Sequence, residues 1–196
     1  YKRMRNLPLI YDSDDFLLSN GGFIYGTGRA FGIEAMLQYQ TERLSLTASY
    51  TYTDSRRRSD GVTYPFEYDV PHDFNAFVSY DVVKRPGRKH TFSLNVAWRS
   101  GLPYRLTNES YPDTDGNPII GITAYPTMRM HNYFRADVSY NMERCKRNGV
   151  RNWQFSIINA TWHKNPVSIY PYRGSYKATV LIPIMPSVSY TRTFGK

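Results

Sequence analysis

Cysteine occurs once in the 196 residues, as Cys145, so no internal disulfide framework can hold the chain together. Long hydrophobic runs are missing as well. No apolar stretch is long enough for a transmembrane helix, and the mean hydropathy is −0.55. That excludes a helical span but not a membrane barrel, whose strands show only alternation over segments of roughly ten residues. No convincing amphipathic helix, zinc-ligand spacing, phosphate-binding glycine loop or nucleophile motif occurs. Acid is scarce relative to base: 16 Asp and Glu stand against 25 Lys and Arg, for a net charge of +9. The basic residues are scattered through turns and form no helical stripe, so no nucleic-acid partner is expected. Cys145 sits in "ERCKRNGVRN" among basic residues, and its plain reading is an incidental thiol in a turn.

Aromatic residues are plentiful, at 16% with 18 Tyr, and alternation recurs along the chain. "LSLTASYTYTDS" sets Leu44, Leu46, Ala48, Tyr50 and Tyr52 against Ser45, Thr47, Ser49, Thr51 and Thr53, which is a strand with one apolar and one polar face. Gly28–Gln40, His72–Val83, Thr91–Arg99 and Phe134–Met142 repeat the pattern, with Met36 and Phe77 as exceptions. Asn152–Trp162 alternates with a phase slip at Ile157–Ile158 that predicts a β-bulge. Val180–Phe194 holds one phase, and a weak strand at Tyr1–Leu7 opens the chain. The count is about eight strands, all-β and antiparallel. Tyr1 falls inside a strand already under way, which predicts that the chain is one piece of a longer polypeptide.

Short connections (41–43, 84–89, 143–152) alternate with long ones (8–27, 55–71, 100–132). Transmembrane barrels pair short periplasmic turns with long external loops in this way. The expected fold is therefore a transmembrane antiparallel β-barrel wall, with apolar faces toward lipid. Its polar faces carry the lumen-facing candidates Glu34, Asp73, Arg99, Arg135 and Asp137, together with Asp81. Tyr52, Tyr80, Trp98, Tyr140 and Trp162 are candidates for the aromatic girdles. The short turns hold nine basic residues from Arg43 to Arg151, placed to meet anionic phospholipid headgroups. "SYTRTF", with Tyr190 and Phe194, is close to an alternating, Phe-ended outer-membrane assembly signal.

Several stretches, in order, carry a family likeness. They are "GTGRAFGIEAMLQ", "LTASYTYTDSRRR", the Asp69-x-x-His72 before a strand, and the Trp98-x-Ser-Gly-x-Pro103 loop opening. Arg135-x-Asp137-x-Ser139, the Asn159…Asn165-Pro166 segment and "IPIMPSVSYTRTF" complete the set. The chain resembles, over nearly its whole length, the late barrel strands of TonB-dependent receptors of Bacteroidetes-type bacteria. The resemblance implies that residues 1–196 are the C-terminal portion of an outer-membrane barrel of about 22 strands. A plug and a TonB-contacting segment would lie elsewhere in the protein. It also implies localisation in the outer membrane of a Gram-negative bacterium and energy-coupled uptake of a siderophore, oligosaccharide, peptide or cobalamin. The partners implied are outer-membrane lipid, the plug, TonB and the nutrient. No cofactor and no covalent chemistry are expected.

Loop residues Tyr104, Arg105, Tyr111 and Tyr125 are the external candidates for ligand contact. Asp113, Asp115 and Asn117 in "PDTDGNPI" have the alternate oxygen ligands that suit calcium, and the same residues also suit an ordinary turn. His72 is expected to make a structural hydrogen bond. Arg56, Arg57 and Arg58 are read as a solvated loop run, with contact to an anionic glycolipid or acidic ligand as the alternative. A complete small eight-stranded barrel, acting as anchor or adhesin, is the rival architecture. A soluble ligand-binding barrel is a second.

Overall fold

The computed structural model describes residues 1–9, 24–59, 61–105, 107–112, 118–122, 125–172 and 175–194. Among them the regular structure is all strand. The principal sheet begins with β1 (Lys2–Leu9), β2 (Ile24–Gln40) and β3 (Leu44–Ser59), and a short β4 (Val62–Pro65) folds back on the far end of β3. It continues with β5 (His72–Arg85) and β6 (Arg88–Arg99). The long connection after β6 contains β7 (Pro103–Tyr104), β8 (Thr107–Pro112), β9 (Pro118–Ile122) and β10 (Met128–Arg129). Then come β11 (Tyr133–Lys146), β12 (Gly149–Ile158), the hairpin strands β13 (Pro166–Tyr172) and β14 (Ser175–Val180), and β15 (Met185–Thr193). The strand order is β1-β2-β3-β5-β6-β11-β12-β15, an antiparallel meander of eight strands with β4 attached to β3. β1 and β15 are its two edges, and no pairing joins one to the other.

Register carries each strand's alternation across the whole sheet. Leu37 pairs with Ala48, Ala48 with Ala76, Ala76 with Val96, and Val96 with Ala136. The next row is Tyr39, Leu46, Val78, Leu94, Val138, Ile157 and Pro186. Partners in register share a face, so seven strands, β2 to β15, present one continuous apolar surface. At about 4.8 Å per strand this band is about 29 Å wide. The opposite face is mostly polar. Its longest row is Ser45, Ser79, Ser93, Ser139, Ser156 and Ser187, six serines on six successive strands. The exceptions Met36 and Phe77 are exposed on this polar face.

Nothing in the described residues covers the apolar face. Ala136, 9% exposed, is the one buried hydrophobic residue among them. Ile33, Leu37 and Val188 are 60%, 58% and 63% exposed. A sandwich would bury such a face against a second sheet about 10 Å away, and the described residues supply none.

Three segments differ from the sequence expectation. The β11–β12 register runs without a break to Val138↔Ile157, and β12 ends at Ile158. The phase slip falls one residue later. Asn159 turns left-handed (φ 54°), after which the Ala160 amide bonds to the Ala136 carbonyl. Asparagine tolerates that conformation and alternation cannot register it. Trp162 lies in the turn that follows, at φ 58°, not in a strand. Second, Val180–Phe194 is not one strand. Pro183 removes a backbone donor within it: β14 ends at Val180 and pairs β13, while β15 starts at Met185 and pairs β12, with Pro186 tolerated next to its start. Third, the long connections contain hairpins: β1 and β2 pair out to Leu9↔Ile24, and β8 pairs β9. The opening strand, extending to Leu9, has a register shift between Met4 and Leu7, where Asn6 is left-handed (φ 52°).

Asn165 completes the fold where β12 leaves β11. Its side-chain amide donates to the Phe134 carbonyl (2.9 Å) and accepts from the Phe134 amide (2.8 Å), and it is 2% exposed. The side chain thus imitates the missing strand neighbour. Asn165→Ala strands both Phe134 groups, and about 2–6 kcal/mol of local stability should be lost at roughly 1–3 kcal/mol per unpaired group. Amide exchange at Phe134 should accelerate accordingly, and unchanged exchange there would refute the role.

Candidate functional site

β3 runs well past the apolar band, and its outer half supports the long loops. The Phe66 amide bonds to the Ser55 carbonyl, and the Thr53 hydroxyl donates to the Val70 carbonyl (2.6 Å). These bonds lay residues 66–71 along β3. Asp69, 3% exposed, accepts the Ser55 amide (2.7 Å) and pairs with the Arg129 guanidinium. Arg129 also donates to the backbone carbonyls of Asp69 and Gly101. One buried carboxylate therefore ties the β4–β5 loop to the β6–β11 loop. Gly101 allows the close approach: a Cβ there would fall 1.7 Å from the Met130 carbonyl oxygen.

An aromatic and charged cluster sits on this base. The Tyr64 and Tyr125 rings lie 4.4 Å apart. Burial pushes the Tyr64 phenol above its ordinary value, and the neighbouring Tyr125 adds to the shift. Arg105 pairs with Glu67, and Arg57 lies over the Phe66 ring at 4.1 Å. Of the external candidates, Arg105 and Tyr125 are thus brought together over β4. Tyr104 points elsewhere, donating its hydroxyl to the Ile169 carbonyl of β13. Tyr111 is in register with Ile119 in the β8–β9 hairpin, and its side chain lies outside the described residues. Asp113, Asp115 and Asn117 also lie outside them. No cluster of three potential metal-ligating His, Cys, Asp or Glu side chains occurs among the described residues.

A second feature flanks the cluster on the apolar side. Arg3, Arg29 and Arg56 stand in one cross-strand row, with Arg29 and Arg56 sharing Asp54 at 3.7 and 2.8 Å. With Tyr1, Arg57 and Arg58 they line an open basic groove. The run Arg56–Arg58 therefore belongs to a strand, and its residues alternate between the two faces.

On the polar face, Glu34 is exposed and Asp73 stands in register with Arg99. No ion pair joins the last two. Asp73 accepts from Asn75 (2.6 Å), and Arg99 lies over the Tyr133 ring at 4.6 Å. Within-strand and neighbouring partners are nearer than the one opposite. Arg135 and Asp137 do pair, at 3.0 Å, and Asp137 also accepts the Asn159 amide at 2.8 Å. Asp81 pairs with Lys89 (3.3 Å) and accepts the Thr91 hydroxyl. His72 accepts or donates one hydrogen bond with the Tyr50 hydroxyl at 2.7 Å. Tyr190 packs 4.6 Å from Trp153, and Phe194, just past β15, lies under Arg192.

Tyr64, Asp69, Arg129, Asn159 and Asn165 organise this end of the molecule and were not identified as site residues from sequence. Asp69 and the two asparagines lie inside motifs quoted above, which was the available signal. Tyr64 opens the stretch that runs into the Asp69-x-x-His72 motif, and Arg129 carries no such signal. No family model, no curated protein and no solved structure matches the chain.

Proposed function

We propose that this chain is part of the wall of an outer-membrane transporter of the TonB-dependent receptor type, and that its long loops take up a large, scarce nutrient from outside the cell. The observation that carries the reading is the two-faced, single-layered sheet: one continuous face apolar and uncovered, the other polar and charged. On β11 the band runs from Phe134 to Met142. Nine residues give about 30 Å along the strand, or about 23 Å across a bilayer at a tilt of about 40°, against a typical apolar band of about 25 Å. An exposed apolar face of this size needs lipid or protein against it.

The two unpaired edges favour further strands in the whole protein, since a barrel leaves none open. Arg135 Nε, Asn141 Oδ1 and Asn152 Oδ1 are shielded on the polar face without a partner among the described residues, which suits a lumen filled by water or a plug. The cluster around Tyr64, Arg105 and Tyr125 is the proposed place for first ligand contact. It combines ring faces with a positive charge, suiting a sugar, a peptide or an acidic chelate.

An even set of eight main-sheet strands favours the second reading, a small complete barrel used as an anchor or adhesin. One experiment separates the readings. The chain is expressed and recovered in buffer or in detergent, then run unheated and heated in SDS. The transporter-wall reading expects detergent dependence and no compact heat-modifiable band from this chain alone. A compact band would support the small barrel. Monodisperse recovery without detergent would overturn both.

A further inference from the structure

We propose that the short-turn end of the sheet binds an anionic phospholipid, with its phosphate on Arg144, Arg151 and Arg192 and an acyl chain in the groove above them. The proposal rests on the membrane reading and names a ligand for one part of that surface.

Five arginines on five adjacent strands meet in one row. Arg85 pairs with Arg88, Arg88 with Arg144, Arg144 with Arg151, and Arg151 with Arg192. All five are exposed. Like charges directly opposite one another destabilise a sheet, and here four such pairs follow in succession over about 19 Å. Among the described residues no carboxylate lies within ion-pair distance of any of the five. The nearby acids are on the other face or engaged there, Asp81 with Lys89. The row therefore calls for an anion from outside the chain.

Its surroundings specify what kind of anion. The row lies on the apolar side of the sheet: Arg88 Nε reaches His90 Nε2 at 2.9 Å, and His90 is in register with Met142. One step toward the band is the row Met142, Trp153, Tyr190. Beyond it is an open apolar groove across β11, β12 and β15, lined by Val138, Tyr140, Phe155, Ile157 and Val188. Trp153 stacks parallel to Phe155 (9°, 6.2 Å between centroids) and so links groove to rim. From Phe155 to Arg151 is about 13 Å along the strand. A ligand that satisfies both parts has an anionic head and an apolar tail. Guanidinium groups hold phosphate oxygens bidentately, which makes a phosphodiester headgroup the best match. Free phosphate leaves the groove bare, and a zwitterionic lipid leaves the row undercompensated.

The test uses the protein purified in a neutral detergent, with lipid binding read by native mass spectrometry. The probes are phosphatidylglycerol and phosphatidylcholine with identical chains, and glycerol phosphate as the chainless competitor. Phosphatidylglycerol should bind at least about tenfold more tightly than phosphatidylcholine, and glycerol phosphate should not displace it. R144Q/R151Q/R192Q should lose the preference. If that variant does not fold, raising salt from about 0.1 M to about 1 M on the unaltered protein should collapse the preference instead. Equal binding of the two lipids overturns the proposal. Displacement by glycerol phosphate reduces the site to a phosphate site and overturns it as well. Both outcomes leave the membrane reading standing, because detergent dependence is observed in the same preparation. Recovery of a monodisperse protein in buffer alone would overturn the membrane reading itself.

Discussion

Val96→Arg is expected to prevent the protein from entering a bilayer, while Asn95→Arg, one residue away, leaves insertion nearly unchanged. Val96 lies in the row with Leu37, Ala48, Ala76 and Ala136, near mid-height of the apolar band. An arginine facing lipid at that depth costs about 2–4 kcal/mol, a large part of a typical net stability of about 5–15 kcal/mol. Asn95 shares the polar face with Asp137, whose carboxylate it approaches at 3.4 Å. A new cation there meets water and a nearby acid. The measurement is the fraction of protein that folds into lipid vesicles and resists added protease. Insertion of Val96→Arg at the normal yield would refute the lipid-facing assignment, and equal loss at both positions would refute the two-faced wall.

The second large effect is expected at Asp69. Its carboxylate is almost wholly buried and holds both Arg129 and the Ser55 amide. Removing one partner of a buried pair costs about 3–5 kcal/mol. The Arg129 side chain is 35% exposed, so water compensates part of the loss and the lower end applies. Asp69→Ala should release residues 66–71 and 101–130 from each other while the strands below stay paired. Limited proteolysis should then cut in these two loops first and several-fold faster, with strand fragments still protected. Asp69→Asn keeps the shape and should fall between. Cutting rates that match the unaltered protein would show that the carboxylate does not hold the loops.

The architecture was legible from sequence because alternation is a local signal. "LSLTASYTYTDS" gives the phase of β3 unaided, and Phe134–Met142 gives that of β11. The eight-strand count and the antiparallel sheet followed from such stretches. The outer end was less legible. The Asp69–Arg129 pair joins residues 60 apart, and no periodicity records a partner at that distance. The alternation of Val180–Phe194 continued across Pro183, where the strand pairing breaks off between β14 and β15. At Asn159 the backbone turns left-handed, which the side-chain pattern marks only as a slip. The loop candidates were chosen by residue type, so Tyr104 was grouped with Arg105 although the Tyr104 hydroxyl bonds to β13 and the Arg105 guanidinium to Glu67. Tyr64 was passed over although it forms the centre of the cluster.

The six serines that cross the polar face from β3 to β15 have a mechanical consequence. At that level no side chain rises more than one hydroxyl above the backbone, and Ser79 and Ser93 sit 3.4 Å apart, oxygen to oxygen. Each hydroxyl can both give and take a proton bond. A polar body resting on this strip can therefore trade one bond for the next as it moves sideways, with no deep minimum to hold it. The strip is a smooth track within a wall that elsewhere carries charged hooks such as Arg135 and Asp137.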